Sequence, residues 1–348
     1  MRTIQVNASR PYQAVIGAGV WDSLGPRLAR LPGTQRAAVV SDDTVAQLYG
    51  ARILALLERA GLSGALYAFP PGEMHKTMTT VAAILEFLAA RELTRSDLVL
   101  ALGGGIPGDV AGFSAAVYKR GIRFLGLPTT LLSMVDSSVG GKTGVNLNTG
   151  KNLAGAFWQP SLVLCDTDAL KTLPERELAG GMAEVIKHGV LGDPALFSLV
   201  AGGARTEDFE EIIGRCVALK ARFVQADERD LGQRRKLNLG HTIGHAIELC
   251  SGYRVSHGEA VAIGMAKISR AAERAGIAEP GVAEAIVSAL RANGLPTETD
   301  IPAKALLETM LQDKKRSGDR VDLVLPVKIG ECVLRATDIA ELPLFVED

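Results

Sequence analysis

Residues 97–117 read DLVLALGGGIPGDVAGFSAAV. The run DLVLAL is apolar almost throughout and of strand length, three glycines follow it, and a helix is expected near 109–118. A strand with no polar alternation is covered on both faces, as in a parallel sheet flanked by helices. Gly103, Gly105 and Gly108 satisfy G-x-G-x-x-G. Glycines there let backbone N–H groups approach a pyrophosphate, and the helix N-terminus adds the positive end of its dipole. The match breaks the ordinary dinucleotide pattern twice. It follows the third α/β strand rather than the first, and the next strand ends in LPTT (127–130) with no acid for a ribose. Asp42 or Asp43, at the end of the first α/β strand, can supply that acid. The bland alternative is a tight strand-to-helix turn.

The same alternation continues on either side. RAAVVS (36–41), ALYAF (65–69), IRFLGL (122–127) and LVLCD (162–166) read as buried strands, with helices near 44–60 and 77–90. TIQVN and YQAVIG at the start read as an edge hairpin. After about residue 170 the pattern turns helical, near 175–190, 207–228, 235–251, 257–276, 280–293 and 303–312. VDLVLP and ECVLRA, within 321–336, form a late hairpin around Lys328, Ile329 and Gly330. An α/β domain over 1–170 with a parallel sheet, then a mainly helical domain over 171–348, is the expected organisation.

Composition narrows the function classes. The 348 residues suit two domains of roughly 150 each. Lys and Arg number 38 against 39 Asp and Glu, for a net charge of -1, and aromatics are 5%. That balance argues against nucleic-acid and polybasic membrane binding. No apolar signal core is seen in MRTIQVNASRPYQ, and Cys165, Cys216, Cys250 and Cys332 form no CxxC pair. A reduced cytoplasmic setting is expected.

A second glycine cluster, SSVGGKTGVN (137–146), carries Lys142, and GKN (150–152) carries Lys151 and Asn152. The K-T pair resembles a phosphate loop, but its spacing is off and it lies late in the domain, between helical and strand segments, which argues against an NTPase. Histidine is rarer and more informative. Three of the five histidines, His241, His245 and His257, lie in LNLGHTIGHAIELCSGYRVSHGEA (237–260). His241 and His245 share a helix face, and His257 begins the next helix. Glu184 sits in the apolar run GGMAEVIKHG (180–189). One carboxylate with histidines suits a catalytic divalent metal, most simply zinc; the alternative is histidines that merely line a helix. These residues alone leave His245 among the ligand candidates, and His188 reads as a residue that supports the ligands or is merely structural. Lys142, Lys151, Lys187, Lys220, Arg234, Arg120 and Lys314/Lys315, all in or beside motif-like segments, point to a small, multiply anionic substrate.

Taken together, GGGIPGDVAGF (103–113), LPTTLLSMVDSSVGGKTGVN (127–146), GKNLAGAFWQP (150–160), LPERELAGGMAEVIKHG (173–189), ADERDLGQRRKLNLGHTIGHAIE (226–248) and HGEAVAIGM (257–265) follow the order and spacing of the 3-dehydroquinate synthases. The chain resembles that family of sugar-phosphate cyclases from about residue 35 to its C-terminal region. The resemblance implies a Rossmann-like α/β domain, a helical domain, and an active site in the cleft between them. It implies a shikimate-pathway lyase, part of aromatic amino acid biosynthesis. That enzyme uses NAD and Zn²⁺ or Co²⁺ to turn 3-deoxy-D-arabino-heptulosonate 7-phosphate into 3-dehydroquinate and phosphate. The route is transient oxidation, phosphate elimination, re-reduction and aldol cyclisation.

By the same resemblance, Glu184, His241 and His257 hold the metal, and His245 moves to the substrate. Asp136, Lys142, Asn152, Lys187, Lys220, Arg234, Asn238 and His245 match substrate-contacting positions. Arg120 matches one donated across a homodimer interface, and Lys314, in preference to Lys315, completes the set. NAD-binding positions match Asp42; Pro71, Gly72, Glu73, Met74, His75 and Lys76; Gly105, Ile106, Pro107, Gly108 and Asp109; Thr129 and Thr130; Lys142 and Lys151; and Ala169, Leu170, Lys171 and Thr172. Two residues depart from the pattern. Pro107 removes an N–H from the glycine loop, and Lys119 replaces an apolar residue beside Arg120. A cyclase acting on another phosphorylated sugar, a metal-dependent polyol dehydrogenase and a non-catalytic descendant are the rival readings.

Overall fold

The computed structural model describes residues 1–314 and 320–347, with the side chains of 312–314 left undescribed. The chain divides into two compact units, Met1–Leu173 with Lys220–Arg229, and Pro174–Leu219 with Asp230–Asp348.

The first unit is built on a seven-stranded sheet. Its strands are β1 (Arg2–Val6), β2 (Tyr12–Gly17), β3 (Arg36–Asp42), β4 (Ser63–Phe69), β5 (Leu98–Gly103) and β6 (Arg123–Pro128), joined by a later strand at Leu162–Asp166. Between β6 and that strand lie β7 (Lys142–Leu147) and β8 (Gly150–Phe157), which makes Leu162–Asp166 strand β9. Sheet order is β1-β2-β9-β6-β5-β3-β4. β1 and β2 pair antiparallel at the edge, and every other pair in the sheet is parallel. β5 is buried at all six positions, as its unbroken apolar run predicts. Helices Met78–Ala90 and Gly105–Val117 pack Ile84, Leu88, Val110 and Phe113 into a core with Val40, Val99 and Phe124.

Two expectations fail locally. The second glycine cluster is not a loop but the antiparallel hairpin β7–β8. Gly144 and Gly155 face each other there, and a Cβ on Gly155 would fall 2.1 Å from the Thr143 carbonyl oxygen. The glycines thus permit close backbone approach, and their low strand propensity hides the hairpin. The stretch near 235–251 is likewise not one helix. A 3-10 turn covers Gln233–Asn238, and after Gly240, whose φ of 78° is left-handed, an α-helix starts afresh at His241.

The second unit is mainly helical, with Glu175–Gly192, His241–Cys250, His257–Arg274, Val282–Ala292 and Ala303–Lys314. It also carries the hairpin of β10 (Arg320–Lys328) and β11 (Glu331–Asp338). No helix among the described residues is long and apolar enough to cross a membrane.

Candidate active site

Three helices of the second unit define a candidate metal centre. Helix Glu175–Gly192 opens with Glu175 and Glu177 in its first turn, where acids complement the helix dipole, and buries every residue from Gly180 to Leu191. Glu184 lies mid-helix, 1% exposed, and Lys187 pairs with it one turn on. Helix His257–Arg274 starts with a capping box between Ser256 and Glu259. Glu259 also takes two short bonds from Arg176, at 2.7 and 2.8 Å, which tie this helix to the Glu184 helix. The two helices meet at glycines: a Cβ on Gly258 would lie 2.3 Å from Gly180 Cα. A side chain at that crossing would force them apart.

The result is a converging donor set. His241 Nε2 lies 3.5 Å and His257 Nε2 3.6 Å from the same Glu184 oxygen, Oε1. Ligand atoms of Glu184, His241 and His257 all fall within 4.8 Å of one another. A second possible set, His245, Glu248 and His257, meets the same distance test and shares His257. Burial, then Lys187, drive the His241 pKa down to about 3, so the ring is neutral and ready to ligate. Burial also works to lower His257, but hydrogen bonds to Glu184 and Glu248 outweigh it and hold the ring's pKa up at about 9. A divalent ion needs neutral imidazoles and a carboxylate at about 2.0–2.2 Å. A buried Glu184 facing two Nε2 atoms fits that need.

Beside these residues the second unit has a cavity of roughly 670 Å³. His241, His245 and Asn238 line it, together with Asp230, Arg235 and Arg320. Arg234 is buried and does not appear in that lining, whereas its neighbour Arg235 does, bonded to Asp322 at 2.9 Å. Arg235, Arg320 and Glu248 were missed from sequence. An arginine pair in a charged surface stretch, and one glutamate on an amphipathic helix, carry no spacing signal. The Lys314 side chain and Lys315 lie outside the described residues.

The first unit assembles a different group. The Gly105–Val117 helix starts from Gly104 with no side-chain cap, leaving its first N–H groups to an outside acceptor. The first helical bond comes from Gly108 N to Gly104 O, so Pro107 removes an N–H the helix never uses. Thr129 N bonds Gly103 O at 3.0 Å, and a Cβ on Gly104 would lie 3.2 Å from Thr130 Cγ2; both threonines therefore border the loop. These groups fit a pyrophosphate. Lys76, 5% exposed, joins the segments: its Nζ is 2.5 Å from Asp109 Oδ2 and 2.5 Å from Asn152 Oδ1. Burial raises the Asp109 pKa although Lys76 pulls it down. Asn146, unremarked in the sequence, links Glu73 at 2.7 Å and the Asn152 backbone at 2.9 Å, and Lys151 lies 3.9 Å from Glu73.

Other expected positions are scattered over the first unit. Asp42 caps its own turn by accepting from Val45 N. Ala169, Leu170, Lys171 and Thr172 belong to a 3-10 helix, where Tyr49 bonds Thr172 and Lys171 pairs with Asp168. Lys220 Nζ holds Asp136 through its carbonyl, at 2.6 Å, and Oδ1, at 2.8 Å. Lys142 is exposed at the start of β7, so the K-T pair opens a strand and not the helix a phosphate loop requires. Lys119 and Arg120 are exposed with φ of 50° and 64°, a strained turn for side-chain-bearing residues. Cys165, Cys216, Cys250 and Cys332 form no disulfide among the described residues.

Known proteins match throughout. The N-terminal 3-dehydroquinate synthase family matches residues 66–180, and its C-terminal counterpart matches 181–316. The 3-dehydroquinate synthase of Caulobacter vibrioides is 44% identical over 99% of this chain and 98% of its own length. That of Streptococcus pneumoniae (strain 70585) is 42% identical over 95% of this chain and 96% of its own. Among solved structures, 2-deoxy-scyllo-inosose synthase complexed with carbaglucose-6-phosphate, NAD⁺ and Co²⁺ has a TM-score of 0.89 at 26% identity, covering 99% of both chains. The 2-epi-5-epi-valiolone synthase of Streptomyces hygroscopicus subsp. jinggangensis 5008, with NAD⁺ and Zn²⁺ bound, scores 0.85 at 28% identity over 97% of both. NADH-dependent butanol dehydrogenase A of Thermotoga maritima shares the fold alone, with a TM-score of 0.70 at 14% identity over 100% of this chain and 98% of its own. With near-complete relatives above two-fifths identity and both family halves matched in register, this chain belongs to the 3-dehydroquinate synthase family.

Proposed function

We propose that the protein converts 3-deoxy-D-arabino-heptulosonate 7-phosphate into 3-dehydroquinate and phosphate, as an NAD- and divalent-metal-dependent lyase. The observation that carries this reading is the convergence of His241 and His257 Nε2 on Glu184 Oε1, in a chain whose relatives at 44% and 42% identity are 3-dehydroquinate synthases. When bound, Zn²⁺ or Co²⁺ supplies charge stabilisation at a substrate oxygen, and NAD supplies a hydride acceptor that returns what it takes.

The chain's own residues orient and hold. Residues 1–170 are read as the NAD-binding domain and 171–348 as the metal- and substrate-binding domain. Gly105 and Ile106 offer their N–H groups to the pyrophosphate, and Asp109 with its partner Lys76 adds to the NAD-binding set. Lys187 balances the Glu184 carboxylate. His245, Lys142, Asn152 and Arg120 hold the substrate phosphate; Lys220 and Arg234 hold the carboxylate; Asp136, Asn238 and Lys314 complete the contacts. A phosphate held in place can take the neighbouring C6 proton as it leaves, so positioning and charge carry the reaction. Arg120, on its exposed turn, serves the site of a second copy, which makes the enzyme a homodimer. Cysteines that form no disulfide fit a cytoplasmic setting.

The test is phosphate release from the heptulosonate phosphate with trace NAD. Release should run for many turnovers without lasting NADH. A chelator should stop it, and Zn²⁺ or Co²⁺ should restore it. NADH accumulating in step with turnover overturns the reading in favour of a polyol dehydrogenase. Turnover only of a hexose 6-phosphate assigns the chain to another cyclase activity.

A further inference from the structure

Glu248, the last residue of the HTIGHAIE run, has no role so far. Its carboxylate is almost fully buried, and Oε2 lies 3.3 Å from His257 Nδ1. The other nitrogen of that ring, Nε2, faces Glu184 Oε1 at 3.6 Å. A neutral imidazole carries its proton on one nitrogen and its lone pair on the other, and the partner of the first fixes which is which.

His241 obeys the same arrangement. Its Nδ1 is 3.1 Å from the Leu239 carbonyl oxygen, and its Nε2 is 3.5 Å from Glu184 Oε1. Both rings therefore engage an acceptor through Nδ1 and aim Nε2 at one oxygen. The competing set of His245, Glu248 and His257 would need His257 turned to ligate on its Glu248 side, against that common pattern. It would also leave Glu184, buried between the two Nε2 atoms, outside the centre.

We propose that Glu248 is a positioning residue of the metal centre: it accepts the Nδ1–H of His257, fixes the tautomer with its lone pair on Nε2, and holds the ring plane toward the cation. The inference rests on the metal reading above. Helix His241–Cys250 then supplies one ligand, His241, and the residue that orients another. That helix lies tightly on the His257 helix: a Cβ on Gly264 would fall 2.1 Å from Gly240 O. A carboxylate rather than a carbonyl at Nδ1 also makes the ring a stronger donor.

The experiment uses the full chain, stripped of metal, with Zn²⁺ affinity read by competition against a chromophoric chelator and Co²⁺ geometry read from its visible absorption. Glu248→Leu should weaken Zn²⁺ binding about 10- to 100-fold, still saturating at one ion per chain. Glu248→Gln keeps an oxygen acceptor for the same Nδ1–H, so it should recover most of the affinity and a native-like Co²⁺ spectrum. His245→Ala should bind as the parent does. Unchanged affinity in Glu248→Leu, or equal losses in the Leu and Gln variants, overturns the proposal. Retained binding in Glu184→Gln with complete loss in Glu248→Leu overturns it too, by making Glu248 a ligand. If the parent chain itself takes up no ion, the metal reading falls and this inference with it. A long-range ¹H–¹⁵N spectrum of the Zn²⁺-loaded parent needs no variant: a protonated Nε2 on His257 would contradict the proposal.

Discussion

His257 stands between two carboxylates, with Glu184 at 3.6 Å from Nε2 and Glu248 at 3.3 Å from Nδ1. Its pKa, raised to about 9 from an ordinary 6.5, keeps the ring charged at neutral pH in the metal-free protein, whereas His241, lowered to about 3, stays neutral. The raised value stabilises the metal-free fold fully below pH 6.5, and this is lost as pH climbs through 9. Metal requires the neutral ring, so the sign for binding is opposite. Affinity should rise about tenfold per pH unit from 6.5 to 9, then level off. Calorimetry at pH 7.5 in buffers of different ionisation heat should find close to one proton released per Zn²⁺; none or two would contradict the assignment. His241→Ala should lose the ion. His245→Ala, altering a cavity residue and not a ligand, should keep it while turnover falls about 10²-fold or more. Chelation-sensitive activity alone cannot separate these two; metal content beside kcat does. The candidate residues Glu184, His241, His245 and His257 were legible because histidine is rare here and clustered. Glu248 was not, because its burial arises only when two helices pack.

Helix packing sets those distances. Glycines bring the Glu184 and His257 helices into backbone contact, with a Cβ on Gly258 only 2.3 Å from Gly180 Cα and O. Backbone cannot rotate away as a side chain can. Gly258→Ala should therefore cost about 1–3 kcal/mol of stability and weaken Zn²⁺ binding by moving His257 from Glu184. Gly202→Ala, with nothing within 4 Å of its added carbon, is the control and should leave both unchanged. Thermal melting and metal titration of the two variants decide it; native Zn²⁺ affinity in Gly258→Ala would contradict the packing argument. Elements with strong hydrophobic patterning, such as β5 and its following helix, could be read from the chain. The β7–β8 hairpin could not, since glycine, lysine and asparagine carry little strand signal. Nor could the break at Gly240: the helical pattern runs on through the sequence there, and only the left-handed φ of 78° interrupts it, at a place where a Cβ would fall 2.7 Å from Val261 O.

At the scale of the molecule, alternation of apolar strands with helices gave the parallel sheet, and the later helical run gave the second unit. The grouping of Lys220–Arg229 with the first unit was hidden, because it depends on long-range contacts such as Lys220 to Asp136 and Glu228 to Ser9. Arg120 raises a question of assembly. If it serves a partner's site, mixing inactive Arg120→Ala and His241→Ala chains should restore about a quarter of parental activity, since half the dimers are mixed and each carries one intact site. No recovery after subunit exchange would place Arg120 in its own site. The central claim concerns where the ion sits. Anomalous diffraction at the zinc edge from Zn²⁺-loaded crystals should give one strong peak bounded by Glu184, His241 Nε2 and His257 Nε2. A peak among His245, Glu248 and His257, or none at either place, would contradict the account.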